Sequence, residues 1–95
     1  TPLLLAAAGG HTRCVELLCK DKRVDITIKN KEGANAVHVA TMAGKFDCVR
    51  ELLRANQGDV AVADLDGDGR TPLHNSVLHD NVDFTQLFLT HYHIN

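Results

Sequence analysis

Apolar residues in this chain alternate between two periods, and each period predicts a different element. Val15, Leu18 and Cys19, then Phe46, Val49, Leu52 and Leu53, then Phe84, Leu87 and Phe88 stand three and four residues apart, the spacing that lays one apolar stripe along a helix. Helices are therefore expected over 11–20, 45–55 and 81–91, with these stripes in the core. Val24-Asp25-Ile26-Thr27-Ile28 and Gly58-Asp59-Val60-Ala61-Val62 alternate with a period near two and read as short extended runs. Each leads into turn-forming residues, Asn30-Lys31-Glu32-Gly33 and Asp66-Gly67-Asp68-Gly69. Hairpin-like fingers are expected there.

A shorter helix is expected before each of the long stripes. Thr1, Asn35 and Thr71 are good N-cap residues, and Pro2 and Pro72 follow at the first helical position, where the absent N–H costs nothing. Small residues, Ala6, Ala7 and Ala40, let neighbouring backbones approach. Gly10 and Gly44 can end these helices at positive φ without a Cβ penalty, and Asp80 tolerates the same turn.

These elements form a repeat. Thr1-Pro2-Leu3-Leu4-Leu5-Ala6-Ala7 lies over Asn35-Ala36-Val37-His38-Val39-Ala40-Thr41 and over Thr71-Pro72-Leu73-His74-Asn75-Ser76-Val77, at offsets of 34 and then 36. Cys14-Val15-Glu16-Leu17-Leu18 is echoed by Cys48-Val49-Arg50-Glu51-Leu52-Leu53. The units fall at about 1–33, 34–69 and 70–95 of one domain covering residues 1–95.

Gly69-Arg70-Thr71-Pro72-Leu73-His74 resembles the Gly-x-Thr-Pro-Leu-His-x-Ala signature of the ankyrin-repeat family, and residues 33–40 are a weaker copy. Leu4 in place of His, and Asn75, Ser76 and Asp80 in the third unit, depart from it. The resemblance implies a mainly α solenoid of helix-turn-helix units joined by β-hairpin-like fingers. It also implies that His38 and His74 stabilise helix starts rather than perform acid–base work. The implied function is non-catalytic protein–protein interaction, with a partner protein or peptide on the concave face formed by finger tips and first helices. Mapped by position, that face comprises Lys29, Lys31, Glu32 and Ala34 on the first finger, Leu65, Asp66, Gly67, Asp68 and Arg70 on the second, and Ala8, Met42, Ala43, Leu78 and His79 on the helices.

Composition narrows the partners. A net charge of −2 over 95 residues gives no field to draw in nucleic acid, and no apolar run reaches the length of a membrane span. Three cysteines without paired spacing suit a reducing, intracellular compartment, cytoplasmic or nuclear. Cys14 and Cys48 occupy equivalent sites on packed helices, too far apart for a disulfide, and all three thiols are expected to be buried.

The competing chemistry lies at Asp64, Asp66 and Asp68 with Gly69, which match the opening of an EF-hand calcium loop. The twelfth position, where a bidentate Glu is needed, is Asn75, inside an expected helix. The alternative function, a metal-responsive module with a weak calcium site, rests on this cluster. A zinc pair at His91 and His93 would share a face only on an extended segment. Ser76 lacks the context of a hydrolase nucleophile, and no phosphate loop or cofactor motif is present.

Charge separates the two fingers. Residues 20–32 hold five basic and three acidic side chains, whereas 58–69 hold four aspartates and no base. This asymmetry is expected to orient a partner segment with its basic part near Asp66 and Asp68, Met42 and Leu78 serving as apolar anchors. Leu3, Leu5, Leu17 and Phe88 provide no polar cap at either end, so a marginally stable, monomeric fragment of a longer array is expected.

Overall fold

The computed structural model describes residues 1–55 and 58–94. Among them the regular elements are helices, in the order α1 (Pro2–Gly9), α2 (Thr12–Lys20), α3 (Ala36–Met42), α4 (Phe46–Arg54), α5 (Gly58–Ala63), α6 (Pro72–Leu78) and α7 (Val82–Ile94). Three helical hairpins, α1/α2, α3/α4 and α6/α7, stack in sequence: α1 packs on α3 and α3 on α6, while α2 packs on α4.

Local chemistry sets the first helix of each hairpin. Thr1 accepts the Leu4 N–H, Asn35 accepts the N–H groups of Val37 and His38, and Thr71 accepts that of His74. At the other end, Gly10 and Gly44 both take φ of 74° and Asp80 takes φ of 53°, so the third unit makes the same left-handed turn with an aspartate. The second helices run close to the expected spans; α7 continues to Ile94, and its stripe buries Phe84 and Phe88.

The core is continuous across the hairpins. Val15, Val49 and Leu52 are buried side by side with Val37 and Ala40 from the first helices, and Phe46 meets Phe84 at 5.4 Å between ring centroids. Leu3 and Phe88, expected at bare ends, belong to this core; Leu5 and Leu17 are exposed.

The two extended runs are corrected. Residues 24–28 form successive turns, with Val24 N–H donating to Asp21 O and Thr27 N–H to the Asp25 carboxylate. Residues 58–63 are the helix α5. Ala61 and Val62 are adjacent and both buried, whereas Val60 is exposed. An alternating strand cannot bury two neighbours on one side; a helical turn can. The Asn35 amide fastens α5 from below by donating to Ala61 O at 2.8 Å.

Candidate partner-binding face

The fingers are hairpin tips built on one side chain each. Asn30 Oδ1 accepts the N–H groups of Glu32 and Ala34, and Asn30 N–H donates to Ala34 O. Asp66 repeats this 36 residues later: its Oδ1 accepts the N–H groups of Asp68 and Arg70 at 2.9 and 3.0 Å, and its N–H donates to Arg70 O. The other carboxylate oxygen of Asp66 accepts from the Asn75 amide. Partial burial pushes the Asp66 carboxyl up, but the hydrogen bonds from Arg70, Asn75 and Asp68 outweigh it and hold the group below its ordinary range. Asp66 Oδ1 thus already serves two backbone donors and Oδ2 a side-chain amide. No cluster of three or more His, Cys, Asp or Glu residues able to hold a metal occurs among the described residues.

Adjacent fingers are tied together. Gly67 N–H donates to Glu32 O at 2.9 Å, an approach so close that a Cβ on Gly67 would collide with that oxygen. Lys29 Nζ lies 3.1 Å from Asp64 Oδ1 and donates to Leu65 O at 2.8 Å. The opposite charges of the two fingers are thus partly consumed between them, as Arg23–Asp21 and Lys20–Glu16 pairs consume others within the first unit. Less of the asymmetry is therefore left at the solvent-facing tips. Lys31 and Asp68 remain exposed at the tips without an ion pair among the described residues.

His38 ties the second unit to the third. Its ring is fully buried. Nδ1 accepts the Asn35 N–H at 3.3 Å, which assigns the proton to Nε2, and Nε2–H donates to Arg70 O at 3.0 Å. Burial lowers its pKa, against the opposing pull of the Arg70 carbonyl, Asp66 and Asp64. His74 makes the corresponding cap with Thr71, on an exposed ring. Both histidines hold helix starts.

The remaining mapped residues divide clearly. Met42 and Leu78 are each 59% exposed; they occupy the same place in successive units, beside exposed Ala43 and His79 at the ends of α3 and α6. Ala8 takes the same place on α1 and is exposed. Glu32, Arg70, Gly67 and Leu65 are exposed on the fingers. Ala34 is corrected: it is buried, because the turn folds it under Asn30. Asp66 and Lys29 hold the fingers in shape rather than standing free. The clefts of the fold lie on other faces, one of about 560 Å³ beside Val77, Val82 and Leu89 and one of about 330 Å³ beside Cys19, Lys22 and Ile26.

One further expectation changes. Cys48 is buried, but Cys19 is half-buried and Cys14 exposed. Cys48 has α2 in front of it, its sulfur 3.7 Å from Thr12 Oγ1; no described element stands in front of Cys14. Residues 91–94 are helical rather than extended, so positions 91 and 93 do not share a face; the side chain of His93 lies outside the described residues.

Sequence reasoning overlooked the part played by Asn30 and Asp66 in building the fingers, and the bond from Asn35 to α5. The signal was present for one pair, since the offset of 36 places Asn30 over Asp66 and Gly33 over Gly69.

Stacked helical hairpins with capped first helices and pinned hairpin tips define a helical repeat protein. A family profile described as "Ankyrin repeats (3 copies)" matches residues 3–95, and the chain belongs to the ankyrin-repeat family. It is 38% identical over 82 residues to the nuclear factor NF-kappa-B p105 subunit of Mus musculus, covering 84% of this chain and 8% of that protein. It is 38% identical over 78 residues to the E3 ubiquitin-protein ligase KEG of Arabidopsis thaliana, 80% of this chain and 5% of that protein. The B-cell lymphoma 3 protein homolog of Mus musculus is 35% identical over 94 residues, 96% of this chain and 20% of that protein. The chain thus spans a small part of each relative. Ankyrin repeats are generally protein–protein interaction modules, and no helix among the described residues is long and apolar enough to cross a membrane.

Proposed function

We propose that this chain is a non-catalytic, intracellular interaction module that binds a partner protein or peptide on its concave face. Met42 and Leu78 are the apolar anchors, Ala43 and His79 flank them, and Lys31, Glu32, Asp68 and Arg70 at the finger tips read the partner's polar groups. Lys29 and Asp66 act from behind, by fixing the fingers through Asp64 and through the backbone N–H groups of Asp68 and Arg70. The partner's basic portion lies toward Asp68.

The observation that carries this reading is the pair of large apolar side chains, Met42 and Leu78, exposed at one place in successive units of a fold whose finger tips are held by hydrogen bonds. A backbone already fixed in shape has less entropy to lose on binding. The match to proteins as differently named as a nuclear factor subunit and an E3 ubiquitin-protein ligase supports a segment that carries recognition rather than one chemistry.

The test is affinity capture from cytoplasmic extract by the wild-type chain and by a variant carrying Lys31→Glu, Asp68→Lys and Met42→Ala, both with matched circular dichroism. A protein retained by the first and lost by the second is the expected result. Identical retained sets, or none, place the binding surface elsewhere.

A further inference from the structure

The second helices of the stack are unevenly spaced, and two pairs of equivalent residues give the reason. Between the first and second units Thr12 faces Cys48, with 3.7 Å from Oγ1 to Sγ, and α2 packs closely on α4. The offsets of 34 and 36 place Phe46 over Thr12 and Phe84 over Cys48. At the next junction these two rings meet with centroids 5.4 Å apart. Two aromatic rings fill more space than a hydroxyl and a thiol, so α7 makes no comparably close approach to α4, although α6 still packs on α3. The junction opens into a groove. Its two cavities, of about 180 and about 300 Å³, are lined by residues of α4 and α7 and by none of the first helices, so the groove runs along the side of the stack away from Met42 and Leu78.

The groove has an apolar floor and a polarised rim. Leu53 and Leu87 line the smaller cavity together with Arg50, Arg54 and His91, and no acidic side chain is among them. Phe46 and Leu87 line the larger one, where Asp83 stands. Arg50 is exposed and has no ion pair among the described residues; Arg54 is 64% exposed and reaches Glu51 only at 3.6 Å. The equivalent positions on α2 hold Glu16 and Lys20, which pair with each other at 3.1 Å. On α4 the same four-residue spacing sets two cations side by side, an arrangement that works against the free helix. An anion laid over them relieves it.

We propose that this groove is a second docking surface, and that it takes an acidic amphipathic helix of a partner protein. Aliphatic side chains of the incoming helix enter beside Leu53 and Leu87, and its carboxylates meet Arg50 and Arg54. From Phe46 to Leu53 α4 rises about 10 Å, which matches about two turns of a helix laid along it. Asp83 repels carboxylates at the far end and so fixes the direction of the occupant. A partner on the concave face does not compete for this surface.

Peptide selection tests the assignment. A displayed random library is selected on the 95-residue chain after depletion on an Arg50→Glu chain, a substitution that restores an opposite-charge pair with Arg54 and so keeps the helix. The surviving peptides should carry aspartate or glutamate beside leucine or isoleucine at three- and four-residue spacing. They should bind Arg50→Glu at least about tenfold more weakly than the wild type, bind Met42→Ala as well as the wild type, and shift the amide NMR signals of residues 87 and 90. No survivors, survivors without acidic residues, or survivors that bind equally after their apolar residues are changed to serine overturn the proposal. Loss of binding on Met42→Ala also overturns it, by moving the peptides to the concave face.

Discussion

Replacing His38 with leucine removes two hydrogen bonds from a fully buried site at nearly constant volume. Leucine cannot accept the Asn35 N–H, which is itself buried, nor donate to Arg70 O across the unit junction. An orphaned buried N–H costs about 1–3 kcal/mol, and the lost cross-junction bond about 1 kcal/mol net. Arg70 O keeps its bond from Asp66 N–H, which limits the second term. The sum is about 2–4 kcal/mol, a large share of the roughly 5–15 kcal/mol that holds a domain. His74→Leu is the control, because its cap with Thr71 is exposed and water can replace it; about 1 kcal/mol or less is expected.

Urea unfolding followed by circular dichroism gives both values from the shift in midpoint at constant slope. The pH dependence supplies an independent reading. Burial depresses the His38 pKa below its ordinary 6.5, so as pH falls the unfolded chain takes up the proton before the folded one. This contribution to stability is complete above the ordinary histidine range and is lost as pH falls through it toward the folded value. His38→Leu should flatten that part of the profile. Equal losses for His38→Leu and His74→Leu, or an unchanged pH profile, refute the assignment of His38 as the tie between units.

Three further outcomes follow from the same geometry. Gly67→Ala drives a methyl group into Glu32 O and should cost about 1–3 kcal/mol, together with faster hydrogen exchange of the residue 67 amide; an unchanged midpoint and exchange rate would separate the two fingers. A double-mutant cycle on Lys29→Ala and Asp64→Ala should give a coupling of only about 0.2–1 kcal/mol, shrinking in salt, because both side chains are partly exposed; a salt-independent coupling above that range would contradict the placement. In brief treatment with a thiol reagent followed by mass mapping, Cys14 should react first. Cys19, whose thiol is raised by burial and then by Glu51, should lag, and Cys48 should react only on unfolding, so early modification of Cys48 would contradict its burial behind Thr12.

What the sequence by itself determined is everything that depends on nearby residues. Thr1, Asn35 and Thr71 cap because a short side-chain oxygen reaches an N–H two or three residues on, and Gly10 and Gly44 end helices because φ is a local variable. The apolar stripes of α2, α4 and α7 follow from a period of 3.6, and the repeat multiplied each of these signals. Tertiary structure decided what each repeated residue meets. Cys14 and Cys48 have nearly the same neighbours in sequence, yet one is exposed and the other buried, because among the described residues a helical hairpin stands in front of Cys48 and none in front of Cys14. The alternation in 58–62 was genuine, but burial of Ala61 and Val62 against the layer of α3 and α4 made that segment a helix. The charge imbalance between the fingers was equally legible. Its pairing through Lys29 and Asp64 arises only when folding brings residues far apart in the chain within 3.1 Å, a distance that no local pattern encodes.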